Sequence, residues 1–125
     1  MPTPRIELYS VPAWGCGYFS INAAGMVVMP GMIDLHDHLR DLTPGLNIGE
    51  GLKLDDILRV NWRLSESMGV AEYGVLAAFA TARLLKAGVT SVVDHIYPFH
   101  RPHLAEATVE GYSQTGIRWF MARGI

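Results

Sequence analysis

The sequence holds one cysteine, Cys16, among its 125 residues. No intrachain disulfide can form, no cysteine cluster offers a zinc site, and Cys16 reads as a small core residue. An excess of one charge sign is also missing. Ten lysines and arginines stand against 12 aspartates and glutamates, a formal net charge of -2. That leaves no basic footprint for nucleic acid. No run approaches the roughly 18 apolar residues of a membrane span. The opening residues, MPTPRIELYSVPAW, lack the basic-then-apolar build of a secretory signal. The expectation is a soluble, cytoplasmic protein with neither a nucleic-acid nor a membrane partner. Gly45, Gly49 and Gly51 match no nucleotide-binding fingerprint. There is no serine elbow, no Cys/His pair and no internal repeat.

What is present can build a core: 50% of the chain is hydrophobic and 18% charged, which excludes disorder by composition. Residues 1–29 read as short extended pieces at 5–11, 18–21 and 26–29, with Asn22-Ala23-Ala24-Gly25 as a turn. This predicts a small β-meander. Pro30-Gly31 breaks it off, and a short apolar strand follows. Residues 39–52 form a long loop, a length often associated with function. Helical spacing predicts a helix over about 54–68, stopped by Gly69, and a second over 70–87, closed by Gly88. Val89-Thr90-Ser91-Val92-Val93 is β-branched and predicts a buried strand ending in Asp94-His95. Pro102 suits the first turn of a helix running to about 115, and residues 117–122 predict another strand.

From residue 32 the order is therefore β, α, α, β, α, β. Strands alternating with helices predict a parallel α/β sheet, with chemistry gathered beyond the carboxyl ends of the strands. His36 and His38, then Asp94 and His95, then Arg123 fall on that rim.

The stretch Asp34-Leu35-His36-Asp37-His38 proposes chemistry most directly. Alternation along a strand puts Asp34, His36 and His38 on one face. At roughly 3.3 Å per residue the two histidine Cα atoms lie about 7 Å apart, close enough for the imidazoles to share one metal. Asp34 either supports a ligating histidine or bonds its own backbone, and Asp37 points away. His95 reads first as an ordinary hydrogen-bonded histidine, with a substrate contact and then a metal ligand as the alternatives. Asp94 reads as a structural acceptor, and His100 and His103 as solvent-exposed. Arg123 can bind a carboxylate or a polar heterocycle. Trp14, Trp62 and Trp119 read as packing residues.

The run Val28-Met29-Pro30-Gly31-Met32-Ile33-Asp34-Leu35-His36-Asp37-His38 resembles the opening metal motif of the amidohydrolase superfamily. The lead-in at 21–28 resembles that family's passage out of its N-terminal β-domain. Residues 85–95 and 116–124 resemble the second and third strands of its chlorohydrolase and aminohydrolase branch. The resemblance implies a partial (β/α)₈ TIM-type barrel, about its first three β/α units, over residues 30–125. Residues 1–29 would be the remnant of the β-domain. It implies that His36 and His38 are metal ligands for a divalent ion, zinc with iron or manganese as alternatives. His95 and Arg123 are the candidate substrate contacts, for a small-molecule nitrogen heterocycle that is deaminated or dechlorinated. The family's later ligands and its carboxylate acid/base have no counterpart in these 125 residues, so no catalytic residue is assigned. The chain reads as a fragment or truncated product, inactive alone. The alternative is a non-catalytic remnant, or a subunit that completes its barrel with a partner chain through an open sheet edge.

Overall fold

The computed structural model describes residues 5–10, 17–40, 51–97 and 99–124. The chain divides into two compact units, Met1–Pro30 and Gly31–Ile125.

In the first unit, strand β1 (Arg5–Ser10) pairs antiparallel with β2 (Gly17–Asn22), in a register running from Arg5 opposite Asn22 to Ser10 opposite Gly17. The turn read from Asn22-Ala23-Ala24-Gly25 is present. The Asn22 side-chain oxygen accepts the Ala24 N–H at 3.0 Å. The Met26 N–H reaches the Ala23 carbonyl at 2.9 Å, and Gly25 takes φ 78°. Asparagine and glycine serve these two roles well. The expected strand over 26–29 is not formed. Its apolar run finds no ladder partner among the described residues, so the meander reduces to a hairpin. Trp14, Cys16, Pro44, Gly45 and Gly49 lie outside the described residues.

The second unit holds β3 (Met32–Asp37), α1 (Leu54–Ser67), α2 (Val70–Lys86), β4 (Val89–Ile96), α3 (Leu104–Ser113) and β5 (Arg118–Arg123). The three strands form one parallel sheet in the order β3-β4-β5. Gly88, at φ 89°, ends α2, and its carbonyl accepts the Met32 N–H at 2.9 Å. The helix stop thus starts the ladder between β3 and β4. Gly69 opens α2 rather than closing α1. Its N–H donates to the Glu72 carboxylate at 2.9 Å, as an N-terminal helix partner does.

Two further boundaries differ from the sequence reading. Strand β4 runs on through Asp94 and His95 to Ile96, because Asp94 is buried and partnered rather than exposed at a strand end. Helix α3 begins at Leu104, not Pro102, behind His103 in the left-handed region at φ 65°.

One face of the sheet carries the core. Val92, Asp94 and Ile96 are buried there, with Tyr73, Ala77, Ala80 and Thr81 from α2 and Leu104, Ala107, Thr108 and Tyr112 from α3. The buried hydroxyls bond within their own helices, Thr81 to the Ala77 carbonyl at 2.8 Å and Thr108 to the Leu104 carbonyl at 2.7 Å. Tyr112 packs on Trp119 with ring centroids 5.2 Å apart. Where α2 and α3 cross, a Cβ on Gly111 would strike the Gly74 carbonyl and the Ala77 methyl. By contrast, Ile33, Leu35 and Phe120 are 66%, 72% and 66% exposed.

Candidate functional site

His36 lies on β3 and His38 one residue beyond its end. The Nδ1 of His38 sits 2.6 Å from the main-chain carbonyl oxygen of His95, on the neighbouring strand. A carbonyl only accepts, so Nδ1–H donates, and the neutral ring keeps its lone pair on Nε2. A ligating histidine is commonly oriented in this way. The Nε2 atoms of His36 and His38 stand 3.4 Å apart. Two nitrogens bound at 2.0–2.1 Å to a tetrahedral ion are separated by about 3.4 Å. The Nε2 separation of the pair matches that spacing.

The rings around them are also ordered. His36 stacks on His95, centroids 3.9 Å apart at 21°, and His38 stacks on Tyr97 at 5.1 Å and 3°. His95 therefore covers the face of the His36 ring rather than pointing a third nitrogen at the same centre. Among the described residues, no group of three or more His, Cys, Asp or Glu side chains converges to hold a metal ion.

The nearby carboxylates act on the backbone. Asp34 accepts the His36 N–H at 3.1 Å, and Asp37 accepts the His38 N–H at 2.7 Å. Of the two roles open to Asp34, the local one is realised. Asp94 accepts the Leu39 N–H at 3.0 Å and the Tyr112 hydroxyl, and is 1% exposed. Burial pushes the Asp94 carboxyl above its ordinary range, while the bonds from Tyr112 and Leu39 and the charge of Arg40 pull it down. Burial raises the Tyr112 phenol as well, helped by the Asp94 charge beside it. Asp94 thus ties the segment after His38 to the core, and it also lines a small space together with His38 and His95.

Arg123 is not among the side chains around the two histidines. Its guanidinium carbon lies 5.6 Å from the Phe99 ring centre, beside a depression lined by Arg101, His103 and Glu106. His100 corrects another expectation. It is half-buried, and its Nε2 is enclosed with no hydrogen-bond partner among the described residues. Trp62 is half-exposed and bonds Glu66 through its indole N–H at 3.0 Å, so it is not a core packing residue. Sequence reasoning also missed Arg40, whose guanidinium carbon lies 4.5 Å from the Tyr73 ring centre and 4.9 Å from that of Phe99. Its position two residues after His38 was the available signal.

A profile of the amidohydrolase family matches residues 27–125, which include both histidines and all three parallel strands. The chain belongs to the amidohydrolase family. Members of this family are generally metal-dependent. The chain is also 28% identical over 106 residues to a 5-methylthioadenosine/S-adenosylhomocysteine deaminase of Symbiobacterium thermophilum. That match takes in 84% of this amidohydrolase chain and 23% of the relative, so the chain spans about a quarter of the length of that protein. Among the described residues, no helix is long and apolar enough to cross a membrane.

Proposed function

We propose that residues 30–125 are the opening part of a (β/α)₈ barrel in a metal-dependent hydrolase of non-peptide carbon–nitrogen bonds. Its reaction is hydrolytic deamination of a nitrogen heterocycle. The observation that carries this reading is the His36–His38 pair, whose Nε2 atoms stand 3.4 Å apart with the His38 tautomer set by the His95 carbonyl. Family membership and the deaminase named above support the reaction class. That relative's printed name favours loss of an amine over loss of chloride.

In this reading His36 and His38 hold the ion, with zinc as the first choice and iron or manganese as alternatives. When bound, such an ion supplies Lewis acidity and lowers the pKa of water. His95 keeps the His36 ring in place by stacking and the His38 ring in place through its carbonyl. Tyr97 backs His38. Two histidines fall short of the three protein ligands usual at catalytic zinc. Within these 125 residues the site therefore positions a metal and does not turn over.

Cobalt(II) titration followed by visible absorption tests this directly. The chain should bind one ion, and His36→Ala or His38→Ala should each weaken binding by more than about ten-fold. Binding unchanged in both variants would remove the reading. Ammonia release from 5-methylthioadenosine by the zinc-loaded 125-residue chain is expected to be nil, and measurable turnover would contradict the incomplete-site reading. A second reading, a subunit completed by a partner chain, is favoured by the exposure of Ile33, Leu35 and Phe120 on the sheet. A strictly monomeric chain in size-exclusion chromatography would count against it.

A further inference from the structure

Three buried polar atoms have no hydrogen-bond partner among the described residues: Arg40 Nε, Asn61 Nδ2 and His100 Nε2. All three residues line the same cavity of about 150 Å³, with Leu58, Trp62 and Tyr73 as its apolar walls. Buried polar groups are nearly always satisfied, so three orphans around one space point to a missing partner. Asn61 sharpens the point, because it is the one buried residue of α1. An amphipathic helix normally turns an apolar side chain inward.

The chemistry of the missing partner follows from the orphans. Arg40 Nε and Asn61 Nδ2 can only donate, and His100 Nε2 can donate or accept. The ligand edge must therefore accept hydrogen bonds. The Arg40 cation lies against the Tyr73 and Phe99 rings, and no described carboxylate forms an ion pair with it. Each oxygen of Asp94 takes one donor, from Leu39 and from Tyr112, and the Arg40 charge acts on that carboxylate from nearby. A planar carboxylate edge can accept from these donors and suits the planar guanidinium. The walls of Leu58, Trp62 and Tyr73 call for a flat apolar body. At about 30 Å³ per water molecule, the space equals about five waters and admits a single ring.

We propose that this cavity is a recognition pocket for a planar ring carboxylate, with Arg40, Asn61 and His100 as its donors. Arg40 and Asn61 also line a smaller space that touches His38 and His95. The pocket therefore adjoins the candidate metal site. Resting on the function proposed above, the substrate is a heterocycle whose remote end carries a carboxylate.

Benzoate is the probe, with binding followed by fluorescence and by NMR of the Trp62 indole in the 125-residue chain. Benzoate should bind and shift Trp62, benzamide should bind about ten-fold more weakly or worse, and inorganic phosphate should not compete. Asn61→Leu should weaken benzoate at least about ten-fold while raising the melting temperature, because it removes an unpaired buried amide. Arg40→Gln should reduce the preference for benzoate over benzamide. No benzoate binding, or Asn61→Leu and Arg40→Gln variants that bind like the parent, would overturn the pocket. The His36→Ala variant separates the two proposals. It should lose cobalt and keep benzoate; in the parent chain, cobalt binding without benzoate binding sinks the pocket alone, and benzoate binding without cobalt binding sinks the metal reading alone.

Discussion

Tyr112 and Asp94 show how much of the site is set by two buried side chains. The Tyr112 hydroxyl donates to a carboxylate that also holds the Leu39 amide, one residue beyond His38. Removing it with Tyr112→Phe leaves a buried carboxylate one donor short, which costs about 1–3 kcal/mol in chemical denaturation. The pH dependence has a definite sign. The folded Asp94 carboxyl titrates above its ordinary value of 3.8, so between that value and the folded one the native state holds the extra proton. Stability from this group is therefore greatest below pH 3.8 and falls as pH rises toward the folded value. In Tyr112→Phe the lost hydrogen bond raises the folded value further. The decline should then extend to higher pH, as denaturation at several pH values will show. At this scale the sequence was uneven. The pairing of His36 and His38 was legible, because bringing together two side chains a residue apart needs only local geometry. Asp94 was legible as a structural acceptor, but not as a buried one. His100 and Asn61 were not, because their burial depends on the segment after β4 and helix α1 meeting around Tyr73, a contact no local pattern records.

Among the elements, the α2–α3 crossing is the tightest. A Cβ at Gly111 has no room between the Gly74 carbonyl and the Ala77 methyl. Gly111→Ala should cost about 1–3 kcal/mol through helix displacement, measured as a shift in urea midpoint at constant slope. Gly25→Ala meets open space. It should cost only the left-handed backbone penalty of about 1 kcal/mol. The helices were legible from their periodicity to within a residue or two at most ends. Strand ends were less so. Asp94 looked like a terminus because charge usually marks one, yet Tyr112 and Leu39 let it stay inside β4. The apolar run at 26–29 looked like a strand because sequence reports propensity, whereas a strand also needs a partner.

For the second unit as a whole, the sheet is covered unequally. Helices bury Val92 and Ile96, while Ile33, Leu35 and Phe120 remain largely exposed. Apolar surface of this kind, on a sheet with open edges, favours self-association. Phe120→Lys should reduce concentration-dependent association in sedimentation or light scattering. Its effect on folding should stay within about 0.5 kcal/mol, as for a surface change. Parallel α/β topology was legible from the alternation of strands and helices.

The bond from His38 Nδ1 to the His95 carbonyl joins positions 57 residues apart. It is made to main chain, so no side-chain substitution at position 95 deletes it directly. Sliding β4 against β3 by one residue would move that carbonyl and turn the His38 ring. On the metal reading proposed above, ion affinity becomes a gauge of strand alignment. Changes deep in the core that touch neither histidine should be readable at the ion, whenever they disturb how the first two parallel strands line up.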